Sequence, residues 1–166
     1  MESFFRQIEM LGLSVWIRES DSLLAFPGIL ILHTLGMAFF AGATVAVALI
    51  MLGAARRIRG DAGVVLFPTA WAGLVVNALS GVLLVIAYPT KALTNPVFYL
   101  KLAFIGLLIG ALRIAKRQLR HASLSMDSAV SANGKIVAAA MLLLAMLTIV
   151  GGRLLPYTYR HMMASY

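Results

Sequence analysis

Four long runs of apolar residues constrain this chain more than any other feature of its sequence. They cover residues 23–55, 64–88, 97–120 and 136–155, although the third is strictly apolar only as far as Leu112. A helix needs about 20 predominantly apolar residues to cross a bilayer, and the four runs are near or above that length. The sequence therefore predicts an all-α integral membrane protein, a bundle of four transmembrane helices.

The composition supports a membrane protein and excludes several classes of function. Hydrophobic residues make up 61% of the 166 residues and charged residues only 12%, and the mean hydropathy is +0.94. The net charge of +8 does not indicate nucleic-acid binding, because the basic residues fall mostly between the apolar runs. The absence of cysteine excludes disulfides, thiolate ligands and iron–sulfur clusters. No phosphate loop, nucleophile elbow or zinc-protease motif is present, so hydrolase chemistry is not expected.

The distribution of basic residues between the runs predicts the topology. The second connection contains one basic residue, Lys91, whereas the first and third are rich in them: Arg56, Arg57, Arg59, Arg113, Lys116, Arg117, Arg120 and Lys135. Because cytoplasmic loops carry the excess of Lys and Arg, the first and third connections are expected inside and both termini outside. We expect a multi-pass protein of a bacterial inner membrane.

Residues 1–22 precede the first apolar run and do not resemble a secretory signal. Acidic residues interrupt the segment, and apolar residues recur in it at helical spacing opposite polar ones. We expect an amphipathic helix in the membrane interface. A helix packed across the end of the bundle explains the pattern equally well.

Three nitrogen-bearing side chains are predicted to converge in the outer half of the bundle. His33 and Lys101 lie six and five residues inward from Pro27 and Pro96, and Arg153 lies near the outer end of the last run. Ionisable groups at membrane depth are costly and are functional candidates. His33 is predicted to bind haem iron or another metal, unless it only hydrogen-bonds a neighbouring helix. Lys101 is a second ligand, faces a bound carboxylate as a cation, or snorkels to the headgroups. Arg153 pairs with a haem propionate or anchors the interface.

Small and polar residues share one face of the second predicted helix. They are Gly73, Asn77, Ser80 and Gly81, and Gly36 follows His33 by one turn on the first helix. Such a stripe allows close helix packing or leaves a flat slot for a porphyrin. We include Gly36, Asn77 and Ser80 among the expected cofactor-binding residues.

The C-terminal segment offers a different metal-binding hypothesis. His161, Met162 and Met163 combine imidazole and thioether groups, which suit copper(I). Copper is therefore the alternative to haem b as a cofactor.

Two segments of the chain resemble a known superfamily of membrane proteins. The first is Leu32–Gly42, in a run that ends at Arg56 and Arg57, and the second is Asn95–Leu102, where a lysine enters a Leu-rich helix. Both look like the corresponding segments of the HemJ-type protoporphyrinogen oxidases and the related CopD-type proteins. The resemblance implies a small helical bundle that binds haem through the residues matching His33 and Lys101. The last helix, beginning near Lys135, lacks the Asn-Glu pair of the oxidases, so haem binding is the stronger implication.

Together these observations predict a haem b-binding membrane protein that transfers electrons. A haem-dependent porphyrinogen oxidase is one alternative, and a copper-handling or structural accessory subunit without haem is another. The expected partners are the lipid bilayer and a periplasmic or membrane redox protein, with no nucleic acid. Self-association and membership of a larger complex both stay open.

Overall fold

The computed structural model describes residues 2–54, 59–124 and 130–164, and these residues form helices joined by short connections. Two short N-terminal helices, α1 (Glu2–Glu9) and α2 (Gly12–Glu19), precede the bundle. The helices that follow are α3 (Phe26–Leu52), α4 (Arg59–Ala87), the one-turn α5 (Pro89–Leu93), α6 (Pro96–Leu124) and α7 (Ala132–Ala164).

Four of these helices are long and apolar enough to cross a membrane, which confirms the predicted all-α four-helix membrane bundle. The apolar spans are Phe26–Leu52, Val65–Ala87, Pro96–Arg120 and Ala132–Leu155. The helices α6 and α7 run beyond these spans at their C-terminal ends. Backbone groups in lipid must be hydrogen-bonded internally, so continuous helix is the structure that such segments adopt.

Local signals in the sequence account for the ends of the spanning helices. Pro27 stands in the first turn of α3, where its missing N–H has no helical partner to lose. Gly53 ends α3 in the left-handed conformation at φ 96°, and its N–H bonds the carbonyls of the last turn. Asn95 caps α6 through a 3.0 Å bond from the Val97 N–H to its side-chain oxygen, and Pro96 follows at the first helical position.

The N-terminal arm, defined here as α1 and α2, closes one end of the bundle. The Ser14 hydroxyl donates to the Ile86 carbonyl at 3.0 Å, and Arg18 donates to the Ala87 carbonyl at 3.4 Å and to the Glu9 carbonyl at 2.7 Å. The arm thus satisfies carbonyl groups that the C-terminus of α4 leaves without helical partners. We call this the arm end of the bundle, and the opposite end, where Arg117 lies, the basic end.

The arm is two helices where the sequence pattern predicts one, because the chain turns at Met10 and Leu11. Ile17 is buried against the bundle, in one cluster with Ile29 and Ala87. Other apolar side chains of the arm are exposed, namely Met10, Leu11, Leu13 and Trp16, as are Leu23 and Leu24 in the connection to α3. The arm therefore packs across the end of the bundle and also presents apolar groups suited to a membrane interface.

The main hydrophobic core joins all four spanning helices toward the basic end. It is centred on Phe40, Met51, Leu108, Leu112 and Met141, with many small residues between them. The helix α3 packs mainly against α4 and α7, and α6 packs mainly against α7. Toward the arm end α4 and α6 enclose a space with α3, and this space contains the candidate site.

Candidate ligand-binding cavity around His33

His33 projects from α3 toward α4 and is fixed there by hydrogen bonds. Its Nδ1 lies 3.0 Å from the backbone oxygen of Asn77 and 3.2 Å from the hydroxyl of Ser80. In the reverse direction, the Asn77 side-chain amide donates to the backbone oxygen of His33 at 2.8 Å. This reciprocal pair of bonds joins α3 and α4 and sets the plane of the imidazole.

The hydrogen-bond partners also assign the tautomer of the imidazole. The Asn77 carbonyl can only accept, so Nδ1 carries the proton and Nε2 carries the lone pair. The Nζ of Lys101, on α6, lies 3.3 Å from Nε2. An amine or ammonium group can donate to that lone pair, so every bond in the Asn77–His33–Lys101 series has a donor and an acceptor.

Glycines allow the helices to approach closely enough to form this arrangement. A β-carbon at Gly36 would lie 2.6 Å from the backbone nitrogen of Asn77, and one at Gly73 would lie 2.6 Å from that of Phe40. At Gly81 a β-carbon would lie 3.2 Å from Cε1 of His33. The first two positions bring the backbones of α3 and α4 together, and the third makes room for the ring.

The His33 and Lys101 side chains line a cavity of about 590 Å³ at the arm end. That volume lies within the range of about 300–1,000 Å³ for small-molecule sites. Its walls come from α3, α4, α6 and α7, and two residues of α5, Lys91 and Ala92, also line it. The lining residues are mainly apolar or aromatic and include Phe26, Leu30, Leu84, Tyr88, Phe98 and Leu155.

The charged residues of the cavity wall are all basic. Lys101 lies beside His33, and Lys91 belongs to α5 and has its Nζ 4.5 Å from the centre of the Tyr88 ring. No Asp or Glu is among the described lining residues. An apolar cavity with two lysines favours a mainly apolar ligand that carries acidic groups.

Four of the six residues expected from the sequence meet here. His33, Lys101, Asn77 and Ser80 form one hydrogen-bonded group. Gly36 lies behind this group, buried against α4, and does not line the cavity.

Arg153 is the expected residue that lies apart from the group. Its side chain is exposed, although its neighbour Gly152 lines the cavity, where a β-carbon at Gly152 would lie 3.6 Å from Nζ of Lys101. The side chains of His161, Met162 and Met163, the expected copper ligands, fall outside the described part of the structure.

Lys91, Phe98 and Gly152 line the cavity but are not among the site residues that the sequence predicts. Lys91 indicates only topology in the sequence, and it reaches the cavity because of the position of α5 at the arm end. The adjacent glycines Gly151 and Gly152 in an apolar run are a signal of close approach that could have been noticed. Phe98 carries no signal, because aromatic residues are common throughout such helices.

The donor groups present fit haem better than an ion held only by protein. Among the described residues, no three His, Asp or Glu side chains come close enough to share a metal. The imidazole nitrogen that faces the apolar cavity, Nε2, could bind a haem iron, but it accepts a hydrogen bond from Lys101, so this amine must first move aside. The 3.3 Å between Nε2 and Nζ is less than the roughly 4 Å that two opposite nitrogen ligands need at about 2 Å each. Lys101 would therefore have to move for His33 to bind an iron, whether or not Lys101 then acts as a second ligand.

No protein-family model, no curated protein and no solved structure matches this chain.

Proposed function

We propose that this protein binds haem b in the arm-end cavity, with His33 as the iron ligand, and that it transfers electrons. One observation carries the proposal: an imidazole fixed through Nδ1 by a backbone carbonyl presents Nε2 toward an apolar cavity. Histidines that bind metals usually have their other nitrogen held in this way. Bound haem would supply a reversible one-electron change at its iron.

Residues bonded to His33 and residues of the cavity wall have supporting roles in this proposal. Asn77 fixes the orientation and tautomer of His33, and Ser80 adds a hydroxyl beside the same nitrogen. The apolar wall excludes water. Lys91 lines the cavity and Arg153 does not, so Lys91 is better placed to pair with a propionate. Lys101 moves away from Nε2 and then either ligates or stays as a neighbouring cation.

We further propose that the arm end faces the outside of a bacterial inner membrane. The described cations Arg113, Lys116, Arg117 and Lys135 lie toward the other end, as expected of the cytoplasmic side. A redox partner in the periplasm or membrane would then reach the cavity from the arm end. The HemJ-type and CopD-type proteins are the superfamily in which we place the chain by this proposal.

The test is the absorption spectrum of the full chain purified in detergent, oxidised and dithionite-reduced. We expect a Soret band that is lost in His33→Ala, because the imidazole is the ligand. Thr34→Ala is the matched control: its side chain is exposed and its hydroxyl only bonds the Leu30 carbonyl of its own helix at 2.9 Å. This control should keep full haem.

Circular dichroism and gel filtration must show that both variants are folded. Full haem retention in folded His33→Ala would refute the assignment of the ligand. Folded native protein that takes up no haem when haem is supplied would refute the function itself. Stoichiometric copper in that colourless sample would instead favour the copper-handling alternative.

A haem-dependent porphyrinogen oxidase remains a second candidate because of the amine beside the imidazole. The pair of Lys101 Nζ and His33 Nε2 is a basic group inside an apolar cavity and can accept a proton from a substrate. This candidate requires that membranes containing the protein oxidise protoporphyrinogen and that Lys101→Met abolishes the activity. Electron transfer without that activity would favour the first candidate.

A further inference from the structure

A second cluster of unusual contacts lies at the basic end of the seam between α4 and α6, far from the cavity. Phe67 and Trp71 are one turn apart on α4, and Arg113 and Lys116 are about one turn apart on α6. The Arg113 guanidinium carbon lies 5.3 Å from the centre of the Trp71 ring, and the Lys116 Nζ lies 5.7 Å from the centre of the Phe67 ring. We call these four residues the seam cluster.

The seam cluster lies at the depth of lipid headgroups. Arg113 follows Pro96, the first residue of α6, by 17 residues, which is about 26 Å along the helix. The hydrocarbon core of a bilayer is about 30 Å thick, so the cations reach its far boundary. Trp71 lies six residues, about 9 Å along the helix, inside Val65, where the described apolar span of α4 begins. Indole rings are enriched at this interface.

The two cations of the cluster have unused hydrogen-bonding capacity. Among the described residues, neither Arg113 nor Lys116 forms a hydrogen bond or an ion pair. The acidic side chains that the structure describes, Glu9, Glu19 and Asp21, all belong to the arm end. A ring contact uses the face of a guanidinium group and leaves the N–H groups at its edge available.

We propose that the seam cluster is a binding site for an anionic phospholipid, whose phosphate lies between Arg113 and Lys116. Arginine and lysine together suit a phosphate, the first through paired N–H groups and the second as a point charge. Trp71 and Phe67 hold the two cations beside the bilayer at the level of the phosphate. A choline headgroup adds its own positive charge and is disfavoured there. This site is independent of whatever the cavity binds.

The first experiment measures lipid affinity by native mass spectrometry of the full chain in detergent, titrated with phosphatidylglycerol or phosphatidylcholine. We expect phosphatidylglycerol to bind about tenfold more tightly. Each of Arg113→Gln and Lys116→Gln should weaken its binding about fivefold, since a cation near an anionic surface contributes on the order of 1 kcal/mol. Arg117→Gln is the matched control, because it removes the same charge from an exposed position of α6. It should change the affinity less than about twofold.

Three results would overturn the proposal: equal affinity for the two lipids, unchanged affinity in both Gln variants, or equal weakening in Arg117→Gln. The last result would mean that the basic end attracts anionic lipid only through its total charge.

A second measurement does not depend on how the charge variants fold. Trp16→Phe leaves Trp71 as the one tryptophan of the chain, which has two. In vesicles, phosphatidylglycerol with brominated acyl chains should quench Trp71 fluorescence more strongly than brominated phosphatidylcholine at the same mole fraction. Equal quenching by the two lipids would refute a preferred anionic lipid at the seam cluster.

Discussion

Alanine at position 36 is expected to destabilise the bundle, because Gly36 lies where the backbones of α3 and α4 meet. The added β-carbon would be 2.6 Å from the Asn77 nitrogen and 2.9 Å from the Gly73 oxygen. Both are backbone atoms, which cannot rotate away like the end of a flexible side chain. The two helices must therefore separate, and overpacking of this kind costs about 1–3 kcal/mol.

Gly42→Ala on the same helix is the matched control for this prediction. A β-carbon at Gly42 meets nothing within 4 Å, and alanine in a helix interior is favoured over glycine by about 0.5–1 kcal/mol. The two substitutions are chemically identical, yet we expect opposite signs for the change in the free energy of unfolding.

The assay is reversible unfolding in mixed micelles with increasing dodecyl sulfate, followed by circular dichroism. The separation of α3 from α4 should also weaken the bonds between His33 and Asn77, so Gly36→Ala should lower the affinity of the cavity for haem. If Gly36→Ala unfolds at the same detergent fraction as Gly42→Ala, the backbones of α3 and α4 do not meet as described.

Two further predictions concern the arm and the topology. Arg18→Ala should weaken the contact between the arm and α4 by about 1 kcal/mol, because the carbonyls of Glu9 and Ala87 lose a charged donor. Hydrogen exchange of α1 and α2 should become faster in this variant and stay unchanged in Arg6→Ala, which alters an exposed residue. Equal protection from exchange in both variants would contradict the prediction. The chain has no cysteine, so the single substitutions Asp21→Cys and Ser131→Cys report topology directly. A maleimide that cannot cross the membrane should label only Asp21→Cys in intact cells. Labelling of Ser131→Cys alone would show that the orientation is the reverse of the one proposed.

The sequence predicted the site residues unevenly. The depth of His33 and Lys101 followed from counting residues along apolar runs, and the two side chains do meet, at 3.3 Å. The same count placed Arg153 at the correct end, but its side chain is exposed. Depth depends only on position along a helix, whereas the direction of a side chain depends on how the helix is rotated against its neighbours. The sequence does not predict Lys91 as a site residue, because its position depends on how α5 turns at the end of the bundle.

The sequence by itself determined that the chain forms four membrane-spanning helices, because the length and hydropathy of a segment are local properties that decide whether it can cross a bilayer. It also determined which residues could ligate a cofactor, since cysteine is absent and histidine is rare in the spans. Only the tertiary structure decided that the Asn77 carbonyl fixes His33, that a cavity opens beside Lys101, and that Arg113 meets Trp71. These features arise between segments distant in the chain, where close packing of helix against helix, rather than any local preference, sets which atoms come into contact.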